Sequence, residues 1–149
     1  MPRDSLFMLF AGFVLTVGPV TGIAHAAEVA RLGNLEVHGA AVPTTALTPE
    51  AARAYNVTQA EGRGLLTVTL IRKGAAGQAE SVAGQVYAGA FTRNNHLFTV
   101  PIREVRQKDG VYYLGEFRYS APDHIRFLVN ANVLGKPMKI EFARAFDAP

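Results

Sequence analysis

The sequence contains no cysteine. That absence excludes disulfides, a thiol nucleophile and a cysteine-linked lipid anchor, so an exported chain of this kind must fold on its core alone. Long hydrophobic runs are also missing. The apolar stretch Leu6 to Val17, LFMLFAGFVLTV, falls short of the roughly 20 residues a spanning helix needs, and no transmembrane segment is expected in the mature chain. Charged residues make up only 18% of the 149, with a net charge of +3, and no dense Lys/Arg block occurs: Arg53, Arg63, Arg72, Arg93, Arg103, Arg118 and Arg126 are scattered. A nucleic-acid interface is therefore not expected, and an anionic envelope surface is the more natural counterpart of the basic balance.

Catalytic constellations are equally scarce. Ser81 in "AESVAG" and Ser120 in "RYSAPD" lack the G-x-S-x-G elbow, and Ser120 with Asp123 and His124 has ordinary turn composition. "KGAAGQAE" has neither the lysine nor the following helix of a phosphate loop and reads as a flexible hairpin connection. Of the four histidines, His25 falls in a segment expected to be removed. His38, His96 and His124 are not spaced at i, i+2 on a strand or i, i+4 on a helix, and the soft ligands of the mature chain reduce to Met138. No metal site, cofactor or catalytic residue is assigned, and no enzyme activity is expected. Copper or zinc binding through His38 and a second histidine is the alternative from a different functional class.

What is present is regular. Residues 1–26 have the marks of a cleavable signal peptide: Arg3, the apolar run, the break at Gly18-Pro19 and the small residues of Ala24-His25-Ala26. Cleavage is expected after Ala26, with a periplasmic product of residues 27–149 forming one domain. A domain of about 120 residues buries roughly two-thirds of its unfolded surface, enough for a core without disulfides.

From Leu32 onward, β-branched and alternating stretches are punctuated by Gly, Asn, Asp and Pro about every ten residues, the pattern of an all-β sandwich or barrel. Seven strands are expected: Leu35 to Val42, Gly64 to Lys73, Ser81 to Phe91, His96 to Arg106, Val111 to Tyr119, Ile125 to Val133 and Met138 to Phe146. The expected fold is a seven-stranded antiparallel immunoglobulin-like sandwich with one short helix between strands one and two. Alternation places Ile125, Phe127, Val129, Ala131 and Val133 on one face, and Met138, Ile140 and Phe142 on another.

Asp109-Gly110 suits a two-residue type I′ turn and sets Arg103 opposite Glu116 and Ile102 opposite Phe117. Phe98, Val100, Ile102, Tyr113, Phe117 and Tyr119 then face the core. Pro101 marks an edge or a bulge, and Gly84, Gly89 and Gly115 mark bulges or close backbone approaches. Thr48 reads as a helix N-cap, Pro49 as the first helical residue, Glu50 as the acid at the positive end of the dipole and Asn56 as the terminator. Leu47 and Tyr55 are the anchors such a short helix needs.

The surface candidates follow from these placements. His38 points with Glu36 on the first predicted strand. Arg53 and Tyr55 belong to the helix, and Arg103, Tyr112 and Arg118 form one basic and aromatic group of the kind found at interfaces. These six are the candidate binding residues for a protein or envelope-component partner.

"GNLEVHGAAVPTTALTPEAARAYNV", "GLLTVTLIRK", "IREVRQKDGVYYLGEFRYS" and "GKPMKIEFARAF" together resemble domain-of-unknown-function family 4426, small exported proteins of Gram-negative bacteria. The resemblance runs from about Leu32 to Phe146 and is most specific at Glu36-Val37-His38, at Pro49-Glu50 with Tyr55, and at Tyr112-Tyr113 with Glu116-Phe117. It implies an envelope location and a sandwich fold, and brings no activity, cofactor or catalytic residue. One departure is visible: where the family has an aromatic and a polar residue after the histidine, this chain has Gly39 and Ala40.

Overall fold

Strands with one apolar face bury it by stacking sheet on sheet, and the computed structural model, which describes residues 28–148, does this with two antiparallel sheets. The expected signal peptide lies outside the described residues. The strands are β1 (Glu28–Leu32), β2 (Leu35–Pro43), β3 (Arg63–Lys73), β4 (Ala79–Ser81), β5 (Gln85–Phe91), β6 (Leu97–Val100), β7 (Arg103–Gln107), β8 (Gly110–Arg118), β9 (Asp123–Val133) and β10 (Lys136–Phe146). The large sheet has the order β1-β2-β3-β8-β7 with β4 also paired to β3; the small sheet has the order β10-β9-β5-β6. Between β2 and β3 lie a 3₁₀ turn, Thr44–Ala46, and the helix α1, Pro49–Ala54.

The sandwich is as expected, but its described residues form ten strands rather than seven. One addition is β1, which pairs with β2 through a turn containing Gly33 at φ 60°. The other two come from splits. The predicted strand Ser81 to Phe91 divides into β4 on the large sheet and β5 on the small one, and the predicted strand His96 to Arg106 divides into β6 and β7 in the same way. Pro101, which has no N–H to give a ladder, falls at the second crossing. Gly115 on β8 makes room for it: a β-carbon there would stand 2.5 Å from Val100 Cγ1 and 3.1 Å from the Pro101 carbonyl oxygen.

The β7–β8 hairpin also differs. Its loop is Lys108-Asp109, with Gln107 opposite Gly110, Glu104 opposite Tyr113 and Arg103 opposite Leu114, so the ladder is two residues out from the expected register. Neither loop residue has positive φ, and the I′ turn does not form. Two contacts account for this. The Tyr112 hydroxyl donates to Asp109 Oδ2 at 3.0 Å, and the Val111 N–H donates to Ser81 Oγ at 2.9 Å, drawing Gly110 against β4. A slip of two preserves which side chains share a face.

The core between the sheets is therefore the expected one. Ile125, Phe127, Val129 and Val133 are fully buried, as are Val37, Leu66, Val68 and Leu70. Phe117 sits in an aromatic cluster, 5.2 Å from Phe127 and 5.6 Å from Phe146 between ring centres, contacts that add about 0.5–1.5 kcal/mol each beyond their buried area. Gly39 sits at a close approach between the sheets: a β-carbon at this inward position would meet Ile140 Cδ1 at 2.4 Å.

A second, smaller core lies on the outer face of the large sheet. Leu47, Ala52, Tyr55 and Val57 pack on Leu65, Tyr112 and Leu114. β3 is thus covered on both sides, which is why "LLTVTLI" reads as a nearly continuous apolar run. The Thr48 hydroxyl accepts from the Ala51 N–H at 3.1 Å, Pro49 opens α1, and Asn56 ends it at φ 54°, all as the sequence predicts. Fully buried Thr44 ties the following connection down through both its donor and acceptor contacts to Ala60, at 3.0 and 3.1 Å.

Candidate functional site

Helix α1 covers one part of the large sheet's outer face; on the open part, towards β1, stands Glu36. Period-two alternation sends Glu36 and His38 outward from β2 while Leu35 and Val37 enter the core. The neighbouring strands then surround the carboxylate with donors. Arg31 is its register partner on β1, and its Nε donates at 3.2 Å; Lys73 Nζ on β3 donates at 3.2 Å; His38 Nε2 donates at 2.7 Å.

Only 5% of Glu36 is exposed. Burial by itself pushes the carboxyl up, but the hydrogen bonds from His38, Lys73 and Arg31, with the Lys73 charge, outweigh it and hold the group below the ordinary carboxylate range. Because a carboxylate only accepts, His38 presents Nε2–H to Glu36 and is fixed in orientation, leaving Nδ1 as the acceptor of the neutral ring. Thr69, the register partner of His38 on β3, is 2% exposed, and its hydroxyl has no partner among the described residues. The outcome is a saturated carboxylate behind a solvent-facing cationic rim: the Arg31 side chain is 66% exposed and that of Lys73 44%. Such an arrangement can orient and present charge.

The six sequence-derived candidates distribute unequally around this centre. His38 belongs to it. Arg53 is exposed on α1, 3.7 Å from Glu50. Tyr55 is buried, with its ring edge-on to Tyr112 at 5.9 Å, and burial followed by the charge of Asp109 pushes its phenol up. Tyr112 is buried as well, its phenol raised first by burial and then by its bond to Asp109. The expected surface group of Arg103, Tyr112 and Arg118 therefore does not form. Tyr112 is core beneath α1. Arg103 donates to the backbone carbonyls of Tyr55 and Asn56, neutralising the helix's negative end. Arg118 is exposed, opposite Arg63 on β3. The expected Arg103–Glu116 pair is absent for the same reason of register, since Glu116 stands opposite Leu65.

Arg31, Glu36, Lys73 and Thr69 were not among the candidates. The i, i+2 pair Glu36 and His38 was the available signal; Arg31 could not be placed without β1. The structure does not bring a second histidine to His38. His124 is on β9 and His96 immediately precedes β6, both in the small sheet, and among the described residues no group of three or more His, Asp or Glu side chains is placed to hold a metal ion. A shallow open cleft of about 320 Å³ between β4 and the β7–β8 turn contains Glu80 and Asp109, but these carboxylates are engaged by Arg72 at 2.9 Å and Tyr112 at 3.0 Å.

The model of the DUF4426 family, described as a domain of unknown function, matches residues 29–147. A solved structure of a DUF4426 family protein from Pseudomonas aeruginosa PAO1 is similar at a TM-score of 0.69 and 21% identity, covering 83% of this chain and 97% of that one. At that identity the likeness speaks to the fold alone. The GAE domain of GGA2p from Saccharomyces cerevisiae aligns over 81% of this chain and 97% of its own at 9% identity, with a TM-score of 0.30, too low to bear on the fold. Among curated proteins there is no match.

Proposed function

Since the chain belongs to the DUF4426 family, whose function is unknown, we propose that it is a non-enzymatic periplasmic module that binds a protein or envelope component through the outer face of its large sheet. The observation that carries this reading is the Glu36 centre, where one buried carboxylate fixes His38 and anchors Arg31 and Lys73 at the surface beside the open end of β1 and β2. Fixed cations on a rigid sheet are pre-ordered for an anionic partner and lose little side-chain freedom on binding. Exposed Arg53 on α1 extends the same surface.

The periplasmic location rests on the signal-peptide features of residues 1–26, which export the domain of residues 27–149. An immunoglobulin-like reading of the sandwich is supported by the strand order. With β2, β3, β8 and β7 as A, B, E and D, and β5, β9 and β10 as C, F and G, the two sheets follow the ABED and CFG arrangement, with β6 added beside C.

The test is affinity capture from periplasmic extract by the wild-type chain and by Arg31→Glu, His38→Ala and Arg53→Glu. The proposal expects one species to return repeatedly with the wild type and to be lost with the charge reversals. Repeated empty captures, or variants that capture as the wild type does, would overturn it.

A further inference from the structure

The two ends of the sandwich differ in character. β2 and β10 face each other across the core and run in the same direction: a β-carbon on Gly39 would meet Ile140 and Phe142, and the Ala41 carbonyl accepts from Arg144 Nη1 at 2.6 Å. The turns that precede these strands, Gly33-Asn34 and Leu134-Gly135, therefore stand at the same end, roughly one sheet spacing of 10 Å apart. Leu32 enters the first turn with 44% of its surface exposed, and Leu134 is at the tip of the second with 56% exposed. Leu134 also lies in the left-handed region, at φ 51°, followed by Gly135 at 79°. Asn is the residue that suits this position of a two-residue hairpin turn. A leucine there gains no burial to offset its strain, which points to a role outside the fold.

We propose that this end docks on an anionic phospholipid bilayer, with Leu32 and Leu134 entering the headgroup layer. Charge complementarity selects the occupant. Three of the chain's four lysines are here: Lys136 follows the Leu134 turn, Lys73 ends β3 with its N–H donating to the Asn34 carbonyl at 2.8 Å, and Lys108 is in the β7–β8 turn beside β4. Lys108 and Lys136 are exposed. The carboxylates nearby are already engaged: Glu36 carries two cations, Arg31 and Lys73, and Glu80 pairs with Arg72. Each lysine near an anionic lipid surface adds to the attraction, its methylene stem lying along apolar groups while the ammonium stays at the depth of the phosphates. Protein interfaces are built differently, with lysine depleted and a continuous apolar centre. Two leucines set apart on glycine-containing turns give no such centre, but each can enter a fluid layer separately.

The experiment is co-sedimentation of residues 27–149 with vesicles of phosphatidylglycerol and phosphatidylethanolamine, and with vesicles of phosphatidylcholine alone. Retention is expected on the first and not on the second, and about 0.5 M salt should weaken it, because screening then shortens to a few ångströms. Leu134→Asn should weaken it by about fivefold, the equilibrium equivalent of withdrawing one half-exposed leucine from an apolar layer. Its melting temperature should be unchanged or raised, because Asn tolerates the turn. Lys136→Glu should weaken retention as well. Arg93→Glu makes the same change of net charge in the connection between β5 and β6, at the opposite end, and should leave retention intact. None of these variants touches Arg31, His38 or Arg53, so the result is independent of the capture experiment. No retention on the anionic vesicles, equal retention on both kinds, equal retention by Leu134→Asn, or equal losses from Lys136→Glu and Arg93→Glu would each overturn the proposal.

Discussion

Replacing Glu36 by Gln removes the charge at the centre of the large sheet's outer face while keeping its shape. The two exposed cations contribute little to the cost, because pairs with Arg31 and Lys73 are screened by solvent and are worth at most about 1 kcal/mol each. The contact with His38 weighs more: at 2.7 Å, and with 18% of the His38 side chain exposed, it is a hydrogen bond to a charged group worth about 1.5–3 kcal/mol, of which a neutral amide oxygen retains about half. The expected destabilisation at neutral pH is about 2 kcal/mol, a fall in melting temperature of about 6–10 °C for a domain of this size. The pH dependence has a definite sign. Since the folded carboxyl titrates below its ordinary 4.5, its stabilisation is fully present above that value and is lost as pH falls through the lower, folded one. Urea unfolding followed by circular dichroism at several pH values should show the variant weaker near neutrality and the two proteins converging in acid. No difference at neutral pH, or a difference that persists undiminished in acid, would refute this account of the centre.

Other substitutions probe the scaffold that holds it. Thr48→Ala removes the hydroxyl that caps α1 and should cost about 1 kcal/mol, measured by urea midpoint at unchanged slope. In Tyr113→Phe the hydroxyl that takes the Gly84 N–H at 2.8 Å is lost where the chain passes from β4 to β5, and the unfolding free energy should drop by about 1–2 kcal/mol. Gly115→Ala would place a methyl group 2.5 Å from Val100 at the β6–β7 crossing; overpacking should cost about 1–3 kcal/mol, visible as a lower melting temperature. In a spectrophotometric alkaline titration, Tyr112, whose phenol is pushed up by burial and by its bond to Asp109, should ionise only with unfolding.

Much of this architecture was legible in the residues. Strict alternation exposed the core faces of β9 and β10, and cap chemistry located α1 to within a residue. The two strand splits depend on distant contacts. Pro101 marked the second crossing, but only the approach of β8 at Gly115 decides that the chain changes sheets there. The hairpin slip escaped because a shift of two leaves every face unchanged, and it was the Tyr112–Asp109 bond and the nearness of β4 that selected the register. Tyr55 and Tyr112 differ in a related way. The helix pattern marks Tyr55 as an anchor, whereas alternation sets Tyr112 outside, where strand residues usually meet solvent; here α1 lies on it. The Glu36 centre needed β1, a five-residue strand too short for alternation to reveal.

The claim that the large sheet's outer face is the binding surface is tested most directly by photo-cross-linking in intact cells. A photoreactive residue at position 31 or 53, whose native side chains are 66% and 76% exposed, is compared with one at position 134, a 56%-exposed leucine in the β9–β10 turn. The account predicts the same adduct from positions 31 and 53 and none of that mobility from 134. Adducts from 134 alone, or an identical pattern from all three, would contradict it.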